Sequence, residues 1–351
     1  MTTPKIRILM IIASTGPDVG GMEKQLALQA NGLSETTDFE ISVLAAACYQ
    51  VLFKRSVCFI PVNMSRGRRN PYLLLQTARL IRKNKPQIIH SHGHKASQIL
   101  AKIKPFLGRC ICMASSHGTK KNNKALATMD TIFAVSQGVQ AAIPYPSVVI
   151  HNAIEAYAGP IFTKANLCDR YQLDQSLPLA VAVGRLATVK NFPLLMAAFT
   201  SLNANLILFG EGPEGTALKK LERSNVKLGA HTPHAQGIMA AADALIISSD
   251  REGLSLSMLE ALHMRTPVFS TDVSGAKEIL PASCIISRSS VSNMRQDLEQ
   301  KFGDLQHIAQ ELEPVFSAIK KTCNPNYLVG LLSKHYHLAL AQQAPDKNQL
   351  N

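Results

Sequence analysis

The sequence predicts an α/β protein of two domains, each a parallel sheet flanked by helices. Short apolar runs alternate with longer amphipathic stretches along most of the chain, the pattern of repeated strand–helix–strand units. Several of these runs lead straight into polar residues, as expected where a ligand site lies beyond the carboxyl ends of parallel strands. The chain has 351 residues, a length that suits about two domains.

Composition narrows the function classes. The chain is 46% hydrophobic, enough to bury sizeable cores. Its seven cysteines are scattered and odd in number, with no Cys-x-x-Cys pair, which argues against a disulfide framework and a structural zinc site. The opening MTTPKIRILMIIAS has a short apolar run and reads as a first strand rather than a signal peptide. No stretch approaches the ~20 apolar residues of a spanning helix. The expectation is a cytoplasmic protein. Of the +13 net charge, residues 1–155 carry 19 Lys or Arg against 7 Asp or Glu, and the rest is nearly balanced. Between Glu40 and Asp130 there are 16 basic residues and no acidic one. Such a half-chain should attract anions: anionic lipid headgroups, phosphorylated glycolipids or nucleic acid. Aromatic residues are 5% and Trp is absent, which speaks against stacking platforms for single strands, so no nucleic-acid partner is expected.

In chain order, Ile6 to Ile12 reads as a buried strand and Met22 to Leu33 as a helix. Gly20 and Gly21 open that helix after a loop, where backbone N–H groups favour phosphate and glycine permits close approach. An ordinary tight connection explains them equally well. The pattern is not Gly-x-Gly-x-x-Gly, so a nicotinamide site is unsupported. Phe39 to Ala47 and Val57 to Val62 read as strands. Ser65 to Asn70 is a basic loop, suited to a membrane or phosphorylated acceptor or simply to solvent, and Tyr72 to Lys83 reads as an amphipathic helix. Gln87 to Ile89, Ile111 to Ser116, Thr131 to Val135 and Val148 to Ile150 read as further strands. They lead to His90, to His117, to Ser136, and to His151 and Asn152. His90, His92 and His94 alternate and in an extended segment would share a face that could hold zinc. With no carboxylate or cysteine beside them, a hydrogen-bonded core histidine is the better account of His90.

Residues 153–178 read as a linker and the first piece of the second domain. Leu179 to Val183 is a strand, followed by Gly184, Arg185 and Lys190, with a helix from Phe192 to Leu202. An Arg and a Lys at a strand–helix junction can neutralise a diphosphate. Asn205 to Phe209 is a strand leading to Gly210, Gly212 and Pro213. Ala242 to Ser249 is a buried strand with a helix-like lead-in. Glu252 and Gly253 fall in the loop after it. Leu254 to Met264 reads as a helix with a mixed apolar face, and Thr266 to Ser270 as the next strand. Glu252 and Glu260 have seven residues between them, and ionised carboxylates pair well with vicinal hydroxyls. Ser287 to Leu312 reads as one polar helix, Asn324 to Ala341 as the last helix, and the tail from Gln342 as disordered.

These motifs, in this order, resemble the retaining glycosyltransferases of family four (glycosyl transferases group 1), most closely over residues 180–280. The resemblance implies a GT-B fold: two Rossmann-like domains with parallel sheets facing across a cleft that holds the donor, and a C-terminal helix crossing back to the first domain. The implied division is an acceptor-binding domain at 1–155, a nucleotide-sugar domain at 156–323, a returning helix at 324–341 and a tail at 342–351. Arg185 and Lys190 match the Gly-Arg-x4-Lys-Asn motif that holds the donor pyrophosphate. Glu252 and Glu260 match the Glu-x7-Glu signature, the first near the donor sugar and the second on the ribose. His117 matches a histidine near the reaction centre. Gly20, Gly21, Gly184, Gly212, Pro213, Gly253, Leu254, Ser255 and Leu256 fall on the donor side, and Asp18 and Asn152 on the acceptor side.

Three positions depart from the family pattern. Leu254 replaces an aromatic, Ser257 a proline, and Ser274 the first of two glycines. The implied activity is transfer of a hexosyl-type sugar from a nucleoside-diphosphate sugar to an acceptor hydroxyl with retention. The expected acceptor is an anionic glycolipid or oligosaccharide of bacterial envelope polysaccharide or lipopolysaccharide synthesis. Contact with the inner face of the cytoplasmic membrane would run through the basic half. No Asp-x-Asp occurs in the sequence, so no divalent metal or other cofactor is expected. A GT-B nucleotide-sugar epimerase, or an inactive module binding anions or nucleic acid, are the alternatives.

Overall fold

The computed structural model describes residues 4–343 except 17 and 121. The tail read as disordered lies outside them from residue 344 onward. The chain forms two compact units, one of residues 1–153 with 325–351, the other of residues 154–324. Among the described residues, no helix is long and apolar enough to cross a membrane.

The first unit runs β1 (Ile6–Ile12), α1 (Gly21–Ser34), β2 (Phe39–Ala45), β3 (Cys58–Pro61), α2 (Pro71–Asn84), β4 (Ile88–His92), α3 (Gly93–Ile103), β5 (Ile111–Ser116), β6 (Thr131–Ala134), α4 (Gln137–Ala141) and β7 (Val148–Val149). Its strands form a parallel sheet in the order β3-β2-β1-β4-β5-β6-β7. The second unit runs α5 (Lys164–Tyr171), β8 (Leu179–Val183), α6 (Phe192–Phe199), β9 (Asn205–Phe209), α7 (Gly215–Lys219), β10 (Val226–Gly229), α8 (Ala235–Ala240) and β11 (Ala244–Ile247). It continues through α9 (Leu256–His263), β12 (Val268–Thr271), α10 (Ala276–Ile279), β13 (Ile285–Ile286), α11 (Val291–Gly303), α12 (Leu305–Glu311) and α13 (Glu313–Thr322). Its sheet is also parallel, in the order β10-β9-β8-β11-β12-β13. The last helix, α14 (Pro325–Gln343), belongs to the first unit.

The strand sequences explain why both faces of the sheets are covered. A strand alternates its side chains, and one buried on both faces reads as a continuous apolar run. In β1, Ile8, Met10 and Ile12 pack with Leu26 of α1 and with Leu328, Leu332 and Tyr336 of α14. Leu9 and Ile11 pack on the other face with Leu73 and Ile81 of α2 and Ile99 and Leu100 of α3. Burial at about 25 cal/mol per Å² makes this two-sided packing the main source of stability.

Four sequence readings are corrected. The strand read as Gln87 to Ile89 continues to His92, because His90 and His92 stay in register with Met10 and Ile12 of β1 and with Met113 and Ser115 of β5. The helix read from Leu254 begins at Leu256, since Ser255 is extended (φ −65°, ψ 120°) and its hydroxyl accepts the Met258 N–H. The single helix read from Ser287 to Leu312 is a loop over 287–290 and two helices, broken at Asp304, whose φ of −117° and ψ of 22° interrupt the helical path after Gly303. The stretch read as linker contains α5, capped by the Thr163 hydroxyl.

Candidate functional site

In the second unit the strand order reverses between β8 and β11, a topological switch point that opens a crevice at the carboxyl ends of those two strands. The chain leaves β8 through Gly184 and Arg185 and turns at Thr188–Lys190. Asn191, at φ 52°, swings it into α6; asparagine is one of the few residues that tolerates this left-handed conformation. The chain leaves β11 through Ser248, Ser249 and Asp250 and reaches Glu252. The two exits are bonded to each other. The Ser248 hydroxyl donates to the Lys190 carbonyl at 2.7 Å, and the Asp250 N–H donates to the Val189 carbonyl at 2.8 Å.

Held this way, Lys190 Nζ donates to Glu252 Oε1 at 2.6 Å, with the two side chains only 20% and 15% exposed. The Ser249 hydroxyl donates to the same oxygen at 2.7 Å. Thr271, at the end of β12, donates to the Ser249 carbonyl at 2.6 Å. Lys190's stem lies over Gly184, where a Cβ would stand 3.2 Å from Lys190 Cε. Arg185 is exposed, and its guanidinium pairs with no described residue. A partly buried ammonium and an exposed guanidinium at one switch point are suited to a dianionic ligand.

The neighbouring turn after β9 fits closely against this junction. The Gly184 and Leu186 N–H groups donate to the Phe209 and Glu211 carbonyls at 3.0 and 2.8 Å. A Cβ on Gly210 would lie 1.8 Å from the Gly184 carbonyl oxygen, so backbone approach demands glycine there. Gly212 and Pro213 are exposed beside it. On the other side, Glu260 sits on the partly exposed face of α9 with Leu256 and Ser257, while Met258, Leu259, Ala261 and Leu262 are buried. Gly253 is partly exposed and Leu254 buried. Gly275 adopts φ 82°, and a Cβ there would meet Leu254 Cδ1 at 2.7 Å. The position that needs glycine therefore has it, and Ser274 has an ordinary backbone. A groove of about 580 Å³ opens at the ends of β12 and β13, lined by Asp250, Asp272, Ile286, Ser287, Arg288 and Ser289. Arg288 donates to the Asp250 carbonyl.

In the first unit the switch point falls between β1 and β4. Gly20 caps α1 and Gly21 opens it, both exposed. Glu23 is buried in the first turn and accepts from the Ser14 hydroxyl. That turn therefore already holds a carboxylate, which opposes a second anion at the same helix start. Asp18 is exposed and Asn152 buried. Gln25 of α1 bonds both the N–H and the carbonyl of Ala153, at 3.0 and 2.7 Å.

His90, His92 and His117 gather at the carboxyl ends of β4 and β5, where burial disfavours their charged forms. His90 Nδ1 meets the Tyr336 hydroxyl at 2.6 Å and its Nε2 meets the Ser115 hydroxyl at 2.8 Å. Burial, with His117 adding to it, pushes its pKa down to about 3. His92 Nδ1 lies 3.3 Å from His117 Nε2. Burial holds His92 well below the usual range and pushes His117 down to about 4. The alternation ends there, because Gly93, at φ 79°, turns the chain into α3 and carries His94 onto a helix, where its Nε2 meets Gln98. With both His90 nitrogens occupied, the triple does not present one metal-binding face. Sequence reasoning missed Ser248, Ser249, Asp250 and Thr271, whose only signal is a run of polar residues at strand ends.

Residues 178–300 match the model of the family described as Glycosyl transferases group 1. Over 216 residues the chain is 26% identical to a candidate teichuronic acid biosynthesis glycosyltransferase, TuaC, of Bacillus subtilis (strain 168). That match covers 55% of each protein, so the chain spans about half the length of this relative. Among solved structures, Anabaena Alr3699/HepE in complex with UDP and glucose has a TM-score of 0.78 at 16% identity, covering 95% of this chain and 99% of that one. The apo form of the lipopolysaccharide outer core galactosyltransferase WaaB has a TM-score of 0.69 at 15% identity, covering 97% and 100%. Two parallel-sheet units, a switch-point lysine bonded to a glutamate and this family match together identify residues 178–300 as a Glycosyl transferases group 1 domain on a GT-B fold.

Proposed function

We propose that the protein is a retaining glycosyltransferase that moves a sugar from a nucleoside-diphosphate sugar to an acceptor hydroxyl in the synthesis of a bacterial envelope glycan. The observation that carries this is the Lys190–Glu252 pair at the β8/β11 switch point of the matched domain. Retention is proposed on family resemblance. The envelope glycan is proposed on the likeness to the teichuronic acid and lipopolysaccharide proteins. A uridine diphosphate donor is the first to test, since Alr3699/HepE is described in complex with UDP and glucose.

The geometry suggests an exchange of partners. Without ligand, Lys190 satisfies Glu252. A donor diphosphate would draw the ammonium to itself, with Arg185 as a second cation, and so stabilise the charge growing on the leaving nucleoside diphosphate. Glu252, still held by Ser249, would then accept hydroxyls of the transferred sugar. Glu260 is assigned to the ribose hydroxyls. With two cations assigned to the diphosphate, the transfer is proposed to need no divalent metal. Acceptor binding is assigned to the first unit, with Asp18 and Asn152, and His117 is given a neutral hydrogen-bonding role toward the sugar.

The test is a thermal-shift screen of nucleoside diphosphates and their sugars, with and without EDTA, on wild type and Glu260→Ala. Ligand at 100 times its dissociation constant should add about 2.7 kcal/mol. A shift with UDP that survives EDTA and disappears in Glu260→Ala is the expected result. No shift with any nucleoside diphosphate would overturn the donor site.

A further inference from the structure

His92 is 1% exposed, and its Nε2 has no hydrogen-bond partner among the described residues. Buried polar atoms are nearly always paired, so an unpaired one needs an account. The adjacent ring cannot supply the partner. His90 lies beside His92, with ring centroids 4.3 Å apart and planes at 35°, but both His90 nitrogens are already bonded, to Tyr336 and to Ser115. The other His92 nitrogen, Nδ1, faces His117 Nε2 at 3.3 Å. The sheet makes that approach. His92 pairs with Ser115 across β4 and β5, and β5 ends at Ser116, so His117 falls just past the strand end beside the His92 ring.

A neutral imidazole carries one N–H and one bare nitrogen, and burial keeps both of these rings neutral. The contact between His92 Nδ1 and His117 Nε2 therefore holds a single proton, since two protons or two lone pairs would repel. Only two arrangements meet that condition. If His117 donates through Nε2, the proton of His92 must sit on Nε2, where it is a buried donor with no acceptor. If His92 donates through Nδ1, its Nε2 is a bare lone pair and the proton of His117 sits on Nδ1. Orphaned buried N–H groups are rarer than under-satisfied buried acceptors, which selects the second arrangement. Its consequence lies on the other side of His117. That residue is partly exposed, and its Nδ1 makes no hydrogen bond among the described residues, so an N–H there is free for a ligand.

We propose that His92 is a positioning residue that sets the tautomer of His117, so that His117 Nδ1 carries the proton and donates to an oxygen of the transferred sugar. The hydrogen bond at one imidazole nitrogen decides the protonation of the other, and here His92 supplies that bond. Calling the ligand a sugar rests on the glycosyltransferase reading; the tautomer does not.

Nitrogen-15 NMR of the full chain with labelled histidine reads the tautomer directly, from the couplings of the ring protons to Nδ1 and Nε2. The signals of His117 are those that vanish in His117→Gln. Spectra are taken at neutral pH without ligand on wild type, His92→Asn and His92→Leu. Asparagine places an amide N–H near the position of His92 Nδ1, whereas leucine has no donor. His117 should be the Nδ1–H form in wild type and His92→Asn, and the Nε2–H form should gain population in His92→Leu. The Nε2–H form in wild type would overturn the assignment, as would an unchanged Nδ1–H form in all three proteins. If the leucine variant does not fold, the wild-type and asparagine spectra still decide. Calorimetry with UDP and UDP-glucose then reads the consequence. His92→Leu should weaken UDP-glucose about three- to tenfold, the worth of one neutral hydrogen bond, and leave UDP unchanged, and His92→Asn should restore UDP-glucose. Equal loss of both ligands, or a loss that asparagine does not restore, would reduce His92 to a packing role and overturn the positioning. If wild type binds neither ligand, the donor-site reading falls and the tautomer stands or falls on the spectra alone.

Discussion

On the proposed function, the Lys190–Glu252 bond would serve stability without ligand and recognition with it. The pair is mostly out of solvent, so removing one partner leaves the other charge poorly solvated. Lys190→Ala should lower stability by about 1–2 kcal/mol, less than a fully buried pair would lose. It should also weaken nucleoside-diphosphate binding by at least about tenfold. Glu252→Gln keeps a hydrogen-bond acceptor for Lys190 and Ser249. Diphosphate binding should therefore survive in that variant while binding of the intact nucleotide sugar falls. Calorimetry with the diphosphate and the sugar nucleotide separates the two effects, and equal loss of both ligands in both variants would contradict the assigned roles. The buried histidines make a second residue-scale prediction. Their folded pKa values lie below the unfolded value of about 6.5, at about 3 for His90 and about 4 for His117. The unfolded chain therefore binds protons that the folded chain refuses. Their contribution is complete above pH 6.5 and declines as pH falls toward 4 and 3, by up to about 1.4 kcal/mol per pH unit for each group. Melting temperature should begin to fall below pH 6.5, before carboxylates titrate. In His90→Gln the slope between pH 6.5 and 5 should be shallower, and an unchanged slope would show that His90 is already protonated or exposed.

At the scale of elements, the tight turns of the second unit are the sensitive points. Gly210→Ala would drive a Cβ into the Gly184 carbonyl. Both are backbone positions, so no rotamer change relieves the clash. A loss above about 3 kcal/mol is expected, read by urea denaturation. Gly330, exposed within α14 and with open space around it, is the control: Gly330→Ala should add about 0.5–1 kcal/mol through helix propensity. The same physics explains which elements could be read from sequence. Strands covered on both faces are continuous apolar runs, so Ile6–Ile12, Ile111–Ser116, Leu179–Val183 and Asn205–Phe209 stand out with their true ends. α3 opens with Gly93, His94 and Lys95, and the histidine alternation masks its start. α5 has only Leu167 and Cys168 buried and so carries little periodic signal. Lys190 and Glu252 were each visible in motifs, yet their bond, 62 positions apart, depends on the pairing of β8 with β11. The hydroxyls of Ser249 and Thr271, which fix that bond in place, carry no pattern at all.

For the whole molecule, the chain order and the division into units do not coincide. The first unit is completed by α14, the last helix in sequence. Leu328, Leu332 and Tyr336 enter the core formed by Ile8, Met10, Ile12 and Leu26, and the Tyr336 hydroxyl meets His90 on β4. The two ends of the chain are therefore energetically coupled, while the 171 residues from Ile154 to Asn324 have a core of their own. Leu332 is 1% exposed, and Leu332→Ala should cost about 2–5 kcal/mol through lost burial and a cavity. Hydrogen exchange on the full chain locates that loss. Exchange should rise in peptides from β1, α1 and β4, up to 326 residues away in sequence (Leu332 to Ile6), and stay at the wild-type level in peptides from β8, β9 and β11. A uniform rise in both units would mean that they unfold as one cooperative body. An effect confined to α14 would mean that this helix frays without supporting the sheet beneath it.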